Sequence, residues 1–219
     1  MFKHRQNYLF QVHEFKLALA GETPAGLTDY LHSLFDGERL VHADRFPVRP
    51  SVLASRPLAV NADSLHSYAS NVASLALRTA ENNYQRHALL QRFFLSTDTA
   101  TVATEVPVYM TEAENSRITG GQGAVLGHID FLQVFGNTVT ILDYKPGARG
   151  DKKAAAQVFW YALALSLRTG VHLKHIRCAW FDENDYFIFP AIKGYYAARE
   201  TVFPRLSGLE TPPHTSASE

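Results

Sequence analysis

Residues 1–60 show a mixed apolar pattern, and from about Ala62 to Leu95 apolar positions recur at helical spacing. Leu27, Leu31 and Phe35 predict a short helix around residues 26–35. Between Ala62 and about Leu95, one apolar stripe runs through Leu65, Tyr68, Val72, Leu75, Tyr84, Ala88 and Leu89. It is expected over two helices, with Asp63 or Ser64 capping the start. The proline-containing stretch 46–57 reads as a connector. The period then changes to two. Residues 101–109, TVATEVPVY, read as a strand in which Pro107 marks an edge or a bulge. The polar, glycine-rich residues 111–122 read as a loop. Two further strands are expected at about 124–134 and 138–145, joined in a hairpin at Gly136-Asn137. A helix from about Lys152 to Thr169 ends at Gly170. Residues 174–182 and 186–190 form a second hairpin around Glu183-Asn184-Asp185, and the polar tail 208–219 is expected to be disordered. No internal repeat is present. Helices, three strands, a helix and more strands make an α/β domain.

The stretch GHIDFLQVFGNTVTILDYKPG, residues 127–147, interrupts this apolar pattern with charge. Centring the turn between Gly136 and Asn137 sets Asp130 opposite Asp143 and His128 opposite Lys145. Side chains alternate faces along a strand, so these four share one face of the hairpin. Directly opposed residues have Cβ atoms about 4.5–5.5 Å apart, where two carboxylates repel. Leu126, Leu132, Val134, Val139 and Ile141 lie on the same face; Val125, Ile129, Phe131, Leu142 and Tyr144 lie on the other. Both faces are therefore expected to be covered by helices. A buried, unpaired charge is expensive. A divalent cation between the carboxylates, with Lys145 offsetting the remainder, resolves the conflict. Mg²⁺ suits such a site, because it takes hard oxygen ligands and keeps waters for phosphate oxygens. A metal, two acids and a lysine directed at one point can cleave a phosphodiester. The alternative is a wet sheet end at which Lys145 is simply the ion-pair partner of the two aspartates.

Composition narrows the options. With 46% hydrophobic and 12% aromatic residues, the 219-residue chain can bury a large core. Its 21 basic and 21 acidic residues cancel, so nucleic-acid contact must come from a local patch or a metal. One cysteine, Cys178, excludes an intrachain disulfide and a four-cysteine iron–sulfur or zinc site; it is expected in the core. A reducing, cytoplasmic location fits. The first residues, MFKHRQNYLF, carry no signal-peptide run, and no apolar stretch is long enough for a membrane span. GGQGAVLG near Gly120 precedes no helix and is not a nucleotide loop. No Walker motif is present. His172 and His175 lack a third ligand nearby for zinc. Arg149, Lys152 and Lys153 form a small basic cluster that either contacts phosphates or is a solvated helix start.

GHIDF, then ILDYKPG, then QVFWY resembles the PD-(D/E)XK nuclease superfamily, in particular its RecB-like branch. The matching pieces are Gly127 to Asp130, Asp143 to Lys145 with Gly147, and Gln157 to Tyr161, within roughly residues 100–182. The resemblance implies a restriction-endonuclease-like core, αβββαβ, with a central mixed sheet flanked by helices. That core would span 97–207, after a mainly helical region 1–96 and before the tail 208–219. It implies that Asp130 and Asp143 hold Mg²⁺ or Mn²⁺, with the Tyr144 carbonyl as a further ligand. Lys145 would position or activate water, and Gln157 and Tyr161, sharing one helix face, would lean toward the site or the nucleic acid. Tyr161 can equally be core packing. Glu105 in the first strand, or His87 in the preceding helix, would complete the metal shell; both are open. The implied activity is metal-dependent hydrolysis of DNA by in-line attack of water, leaving a 5′-phosphate, with single strands or duplex ends as substrate. RNA stays open as a substrate, and so does a helicase or other protein partner. The iron–sulfur cysteines of many relatives are absent. The competing expectations are a catalytically inactive module of the same fold that binds nucleic acid or a protein, and an unrelated α/β domain with an ion-pair cluster.

Overall fold

A computed structural model of the chain describes residues 2–4, 6–20, 24, 26–35, 48, 57–64, 67–79 and 83–201. Five long strands form the centre: β5 (Thr101–Met110), β6 (Val125–Phe135), β7 (Thr138–Tyr144), β8 (Ile176–Phe181) and β9 (Tyr186–Pro190). Two short strands, β3 (Gln11–Val12) and β4 (Asp63–Ser64), complete a seven-stranded sheet in the order β3-β5-β6-β7-β8-β9-β4. Strands β7 and β8 pair in parallel; every other neighbouring pair in this sheet is antiparallel. A separate antiparallel pair joins β1 (Phe2–His4) and β2 (Gln6–Tyr8). The helices are α1 (Glu14–Leu19), α2 (Leu27–Ser33), α3 (Tyr68–Ala76), α4 (Asn83–Thr97), α5 (Glu112–Thr119), α6 (Ala154–Thr169) and α7 (Ala191–Thr201).

The central strands are buried along nearly their whole length, not on alternate residues. Such continuous burial means that both faces of the sheet are covered. One core holds Leu132, Val139 and Ile141 with Val158, Phe159 and Leu165 of α6. The other holds Phe131, Leu142, Tyr144 and Phe181 with Val72 of α3 and Leu90 and Phe94 of α4. The molecule is therefore layered, helix–sheet–helix. Helix α6 is buried around most of its circumference, consistent with its alanine- and leucine-rich sequence.

Three sequence-based expectations change, and one helix lies where no element was expected. Asp63 and Ser64 are not a helix cap. They form the edge strand β4 on β9, and Ser67 caps α3 through its hydroxyl. The region before residue 97 thus supplies both edge strands, β3 and β4, as well as helices. Residues 112–119 are helix α5, not loop. Thr111 and Glu114 form a reciprocal capping box, whose Thr-x-x-Glu signal the polar composition obscured. Helix α7 was hidden by Gly194 in its first half, which lowers helix propensity. A Cβ at Gly194 would stand 2.6 Å from Phe159 and 2.9 Å from Phe189, so the glycine lets α7 approach the core. Leu65, most of the connector 46–57 and the tail 208–219 lie outside the described residues.

Pro107 lies in an interior strand, but β3 pairs only at Ala103 and Thr104. Beyond that, no strand among the described residues pairs with β5 on its outer side, so the missing proline N–H costs no ladder bond to a described strand. The Tyr30 hydroxyl donates to the Pro107 carbonyl at 2.6 Å, tying α2 to β5. The start of α2 depends on Gly26, at φ 81°, where a Cβ would fall 2.1 Å from the Thr169 carbonyl oxygen. Gly26→Ala combines left-handed strain with a backbone clash. It should lower unfolding stability by about 2–3 kcal/mol, read as a reduced urea midpoint at unchanged slope.

Candidate active site

The hairpin of β6 and β7 has the register read from its sequence. The regular ladder runs from Phe135–Thr138 to Phe131–Leu142. The ladder ends there, one step short of Asp130 and Asp143. The Asp130 carboxylate (Oδ2) accepts the Tyr144 backbone N–H at 2.9 Å. Strand β7 meanwhile continues its pairing with β8 through Asp143–Trp180 and Tyr144–Phe181. Phe131 and Leu142 face the α4 layer, and the acids at the end of the ladder are reached from both sides: Tyr161 of α6 feels the charges of Asp143 and Asp130, and His87 of α4 approaches Asp130.

Strand β5 adds a third acid. Thr104 pairs with Phe131 and Val106 with Ile129, which brings Glu105 beside Asp130. Glu105 has φ 52°, the one non-glycine residue in the left-handed region among the described residues. The Gln91 side-chain amide donates to Glu105 Oε1, while Glu105 Oε2 is buried without a hydrogen-bond partner. Glu105, Asp130 and Asp143 are all buried, with relative exposures of 6%, 9% and 2%. The nearest cation is Lys145, whose Nζ lies 2.8 Å from Asp143 Oδ2. His87 Nδ1 approaches Asp130 Oδ2 at 3.8 Å.

Burial is the main cause of the altered proton affinities. It raises the Glu105 carboxyl to about 8, with help from the charges of Asp130 and Asp143 and against the Gln91 hydrogen bond. Burial also raises Asp143, opposed by Lys145 and reinforced by Asp130. For Lys145, burial alone would lower the ammonium. Asp143 and Asp130 outweigh it and raise the group to about 12, so the lysine stays charged. The cluster therefore holds more potential negative charge than its one firm cation neutralises.

From α6, the Gln157 side-chain amide donates to the Tyr161 hydroxyl at 2.7 Å. Tyr161 is buried, and its hydroxyl is raised well above the usual range by burial and then by Asp143, with Asp130 and Glu105 adding to it. The same side chain belongs to the α6 core, so packing and proximity to the acids coexist in it. Tyr144 offers its backbone N–H to the acids and its ring to the opposite core. Its hydroxyl donates to Glu183 Oε1 at 3.2 Å, and its ring meets His87 edge-on. Arg86 donates to the same Glu183 oxygen at 2.9 Å, fastening α4 to the β8–β9 turn.

The turn after Lys145 is held just as firmly. The Lys145 N–H donates to the Phe181 carbonyl at 2.9 Å. Asp182, itself buried, accepts the Ala148 N–H at 2.8 Å, and the Trp180 indole N–H donates to the Ala148 carbonyl at 3.1 Å. Gln91, Arg86, Trp180, Asp182 and Glu183 were not assigned a role from sequence. Gln91 had one legible signal: it lies four residues after His87, on the same helix face. Arg149 is engaged by Asp185, whereas Lys152 and Lys153 are exposed at the start of α6. His172 accepts the Lys174 N–H at 3.0 Å, capping a short turn, and Cys178 is core.

No family model matches the chain. No curated protein matches it either. The described residues define an α/β protein with a seven-stranded mixed sheet, and three buried acids on its adjacent central strands lie beside a partly exposed lysine. No helix among them is long and apolar enough to cross a membrane. No three His, Cys, Asp or Glu side chains among them are gathered as a ready metal cage. The donor chemistry nonetheless fits a hard divalent cation: carboxylate oxygens, one of them buried without a partner, and a deficit of positive charge.

These proton affinities make a signed prediction. Glu105 and Asp143 bind protons more tightly in the fold than in the unfolded chain. Their favourable contribution is complete below the ordinary carboxylate range and is lost as pH rises through the folded value, about 8 for Glu105. In EDTA, the melting temperature should therefore fall between about pH 5 and pH 8, and Glu105→Gln should flatten that fall. A wild-type melting temperature that rises across the same window would contradict the assignment.

Proposed function

We propose that the chain is a metal-dependent deoxyribonuclease with a PD-(D/E)XK core of the RecB-like kind. The observation that carries this reading is the joint burial of Glu105, Asp130 and Asp143 beside Lys145 on adjacent strands. The succession α4, β5, β6, β7, α6, β8, with α5 inserted after β5, supports an αβββαβ core. Asp130, Asp143 and Glu105 would hold Mg²⁺ or Mn²⁺, with the Tyr144 carbonyl as a further ligand and His87 at the margin. When bound, such an ion supplies Lewis-acid charge to a phosphate and makes water more acidic.

The chain's own groups do the rest. Lys145 keeps its proton, so its Nζ can donate to a phosphate oxygen and orient the attacking water. Asp143 holds that ammonium in place. The attacking water would form a new P–O bond as the bond to the 3′ oxygen breaks; its proton would pass to solvent and the departing 3′ oxygen would take one up, giving a 5′-phosphate and a 3′-hydroxyl. Gln157 and Tyr161 form a polar pair on the α6 side, suited to steering the sugar–phosphate chain. Exposed Lys152 and Lys153 offer a phosphate track on a chain with no net charge. DNA ends or single strands are the proposed substrate.

Cleavage of end-labelled linear and circular DNA, single- and double-stranded, tests this with Mg²⁺, Mn²⁺ or EDTA. Wild type should cut in either metal and not in EDTA. Lys145→Ala should cut at least about 100-fold more slowly, the size expected for losing one preorganised charge at the transition state. Cutting confined to linear DNA would make it an exonuclease. Absence of cutting with either metal would remove the catalytic reading in favour of a binding module.

A further inference from the structure

Glu105 is held in an arrangement that its strand alone would not choose. A left-handed φ in a non-glycine residue costs on the order of 1–3 kcal/mol and persists only where the surroundings impose it. The surroundings here are the pairing of Thr104 and Val106 on either side and the Gln91 amide from α4. Gln91 binds one carboxylate oxygen, Oε1. The other, Oε2, is buried without a hydrogen-bond partner, in a residue that is 6% exposed and feels the charges of Asp130 and Asp143. The partner chosen for Oε1 is informative. A carboxylate buried only for structural reasons is best matched by arginine or lysine, which supply both hydrogen bonds and charge. An amide fixes the orientation and leaves the negative charge uncompensated.

We propose that Gln91 is a positioning residue: it aims Glu105 Oε2 into the acid cluster while leaving its charge for a bound divalent cation to neutralise. The proposal rests on the metal-dependent reading above. Gln91 acts through Glu105 and touches neither substrate nor metal. Its place one helical turn beyond His87 makes α4 the support for this side of the cluster.

The test is Mn²⁺ binding by calorimetry, with unfolding followed in EDTA as a check on the fold. It compares wild type, Gln91→Leu, Gln91→Lys, Glu105→Gln and the double variant Gln91→Leu with Glu105→Gln. Gln91→Leu should weaken Mn²⁺ binding by about tenfold or more, the usual effect of losing an outer partner of a ligand. Gln91→Lys keeps a donor but adds a charge, so it should fold and bind Mn²⁺ still more weakly. In the Glu105→Gln background, Gln91→Leu should change nothing further. Equal Mn²⁺ affinity in wild type and Gln91→Leu would overturn the proposal, as would full retention by Gln91→Lys or equal losses with and without Glu105. Failure of wild type itself to bind Mn²⁺ would overturn this proposal and the nuclease reading together. Normal wild-type binding with an unaffected Gln91→Leu would overturn the positioning role alone.

Discussion

Charge burial is the constraint on which the rest of the site depends. Three carboxyl groups lie within a covered sheet, and one ammonium accompanies them. In a low-dielectric interior, like charges at close range cannot all remain ionised without compensation. The protein's own responses are visible. Glu105 and Asp143 hold protons more tightly, Lys145 holds its proton more tightly still, and a backbone N–H from Tyr144 is committed to Asp130. A core built for stability alone would place apolar residues at these positions.

The scaffold around the cluster keeps these groups where they are. Layers of helix on both faces exclude water from β5, β6 and β7. Arg86 and Glu183 fasten α4, which carries His87 and Gln91, to the β8–β9 turn. Asp182 and Trp180 fasten the turn that follows Lys145 to the same hairpin. The β8–β9 hairpin thus supports the site from outside while contributing none of its acids. Groups whose rotamers are locked by such partners are preorganised, and preorganised charge is the means by which an active site stabilises a transition state.

The parts of this arrangement that follow local rules were legible in the sequence. Gly136-Asn137 set the hairpin, and a turn of known length fixes register, so the turn alone gives the pairing from Phe135–Thr138 to Phe131–Leu142 and leaves Asp130 and Asp143 at its end. Helix α6 announced itself through its apolar composition and Gly170. The same logic failed where local signals conflict with tertiary ones. Gly194 masked α7 because a packing requirement outweighed helix propensity. Thr111 and Glu114 escaped notice because a polar helix such as α5 has little hydrophobic period to reveal it. Asp63 and Ser64 looked like a cap because edge pairing with β9 is a long-range fact. Glu105 could not be oriented by parity, since the left-handed backbone at that residue breaks the alternation on which parity depends. Gln91 needed the positions of both α4 and Glu105, which no single segment supplies.

On the proposed reading, the cluster receives a divalent cation in exchange for a proton. Calorimetric titration of the wild-type protein with Mn²⁺ near pH 7, in buffers of different ionisation enthalpy, measures binding and proton release together. With Glu105 raised to about 8, it is largely protonated at that pH. One Mn²⁺ should bind and displace about one proton, and the release should shrink toward pH 9. No binding, or binding without any proton release near pH 7, would contradict the account.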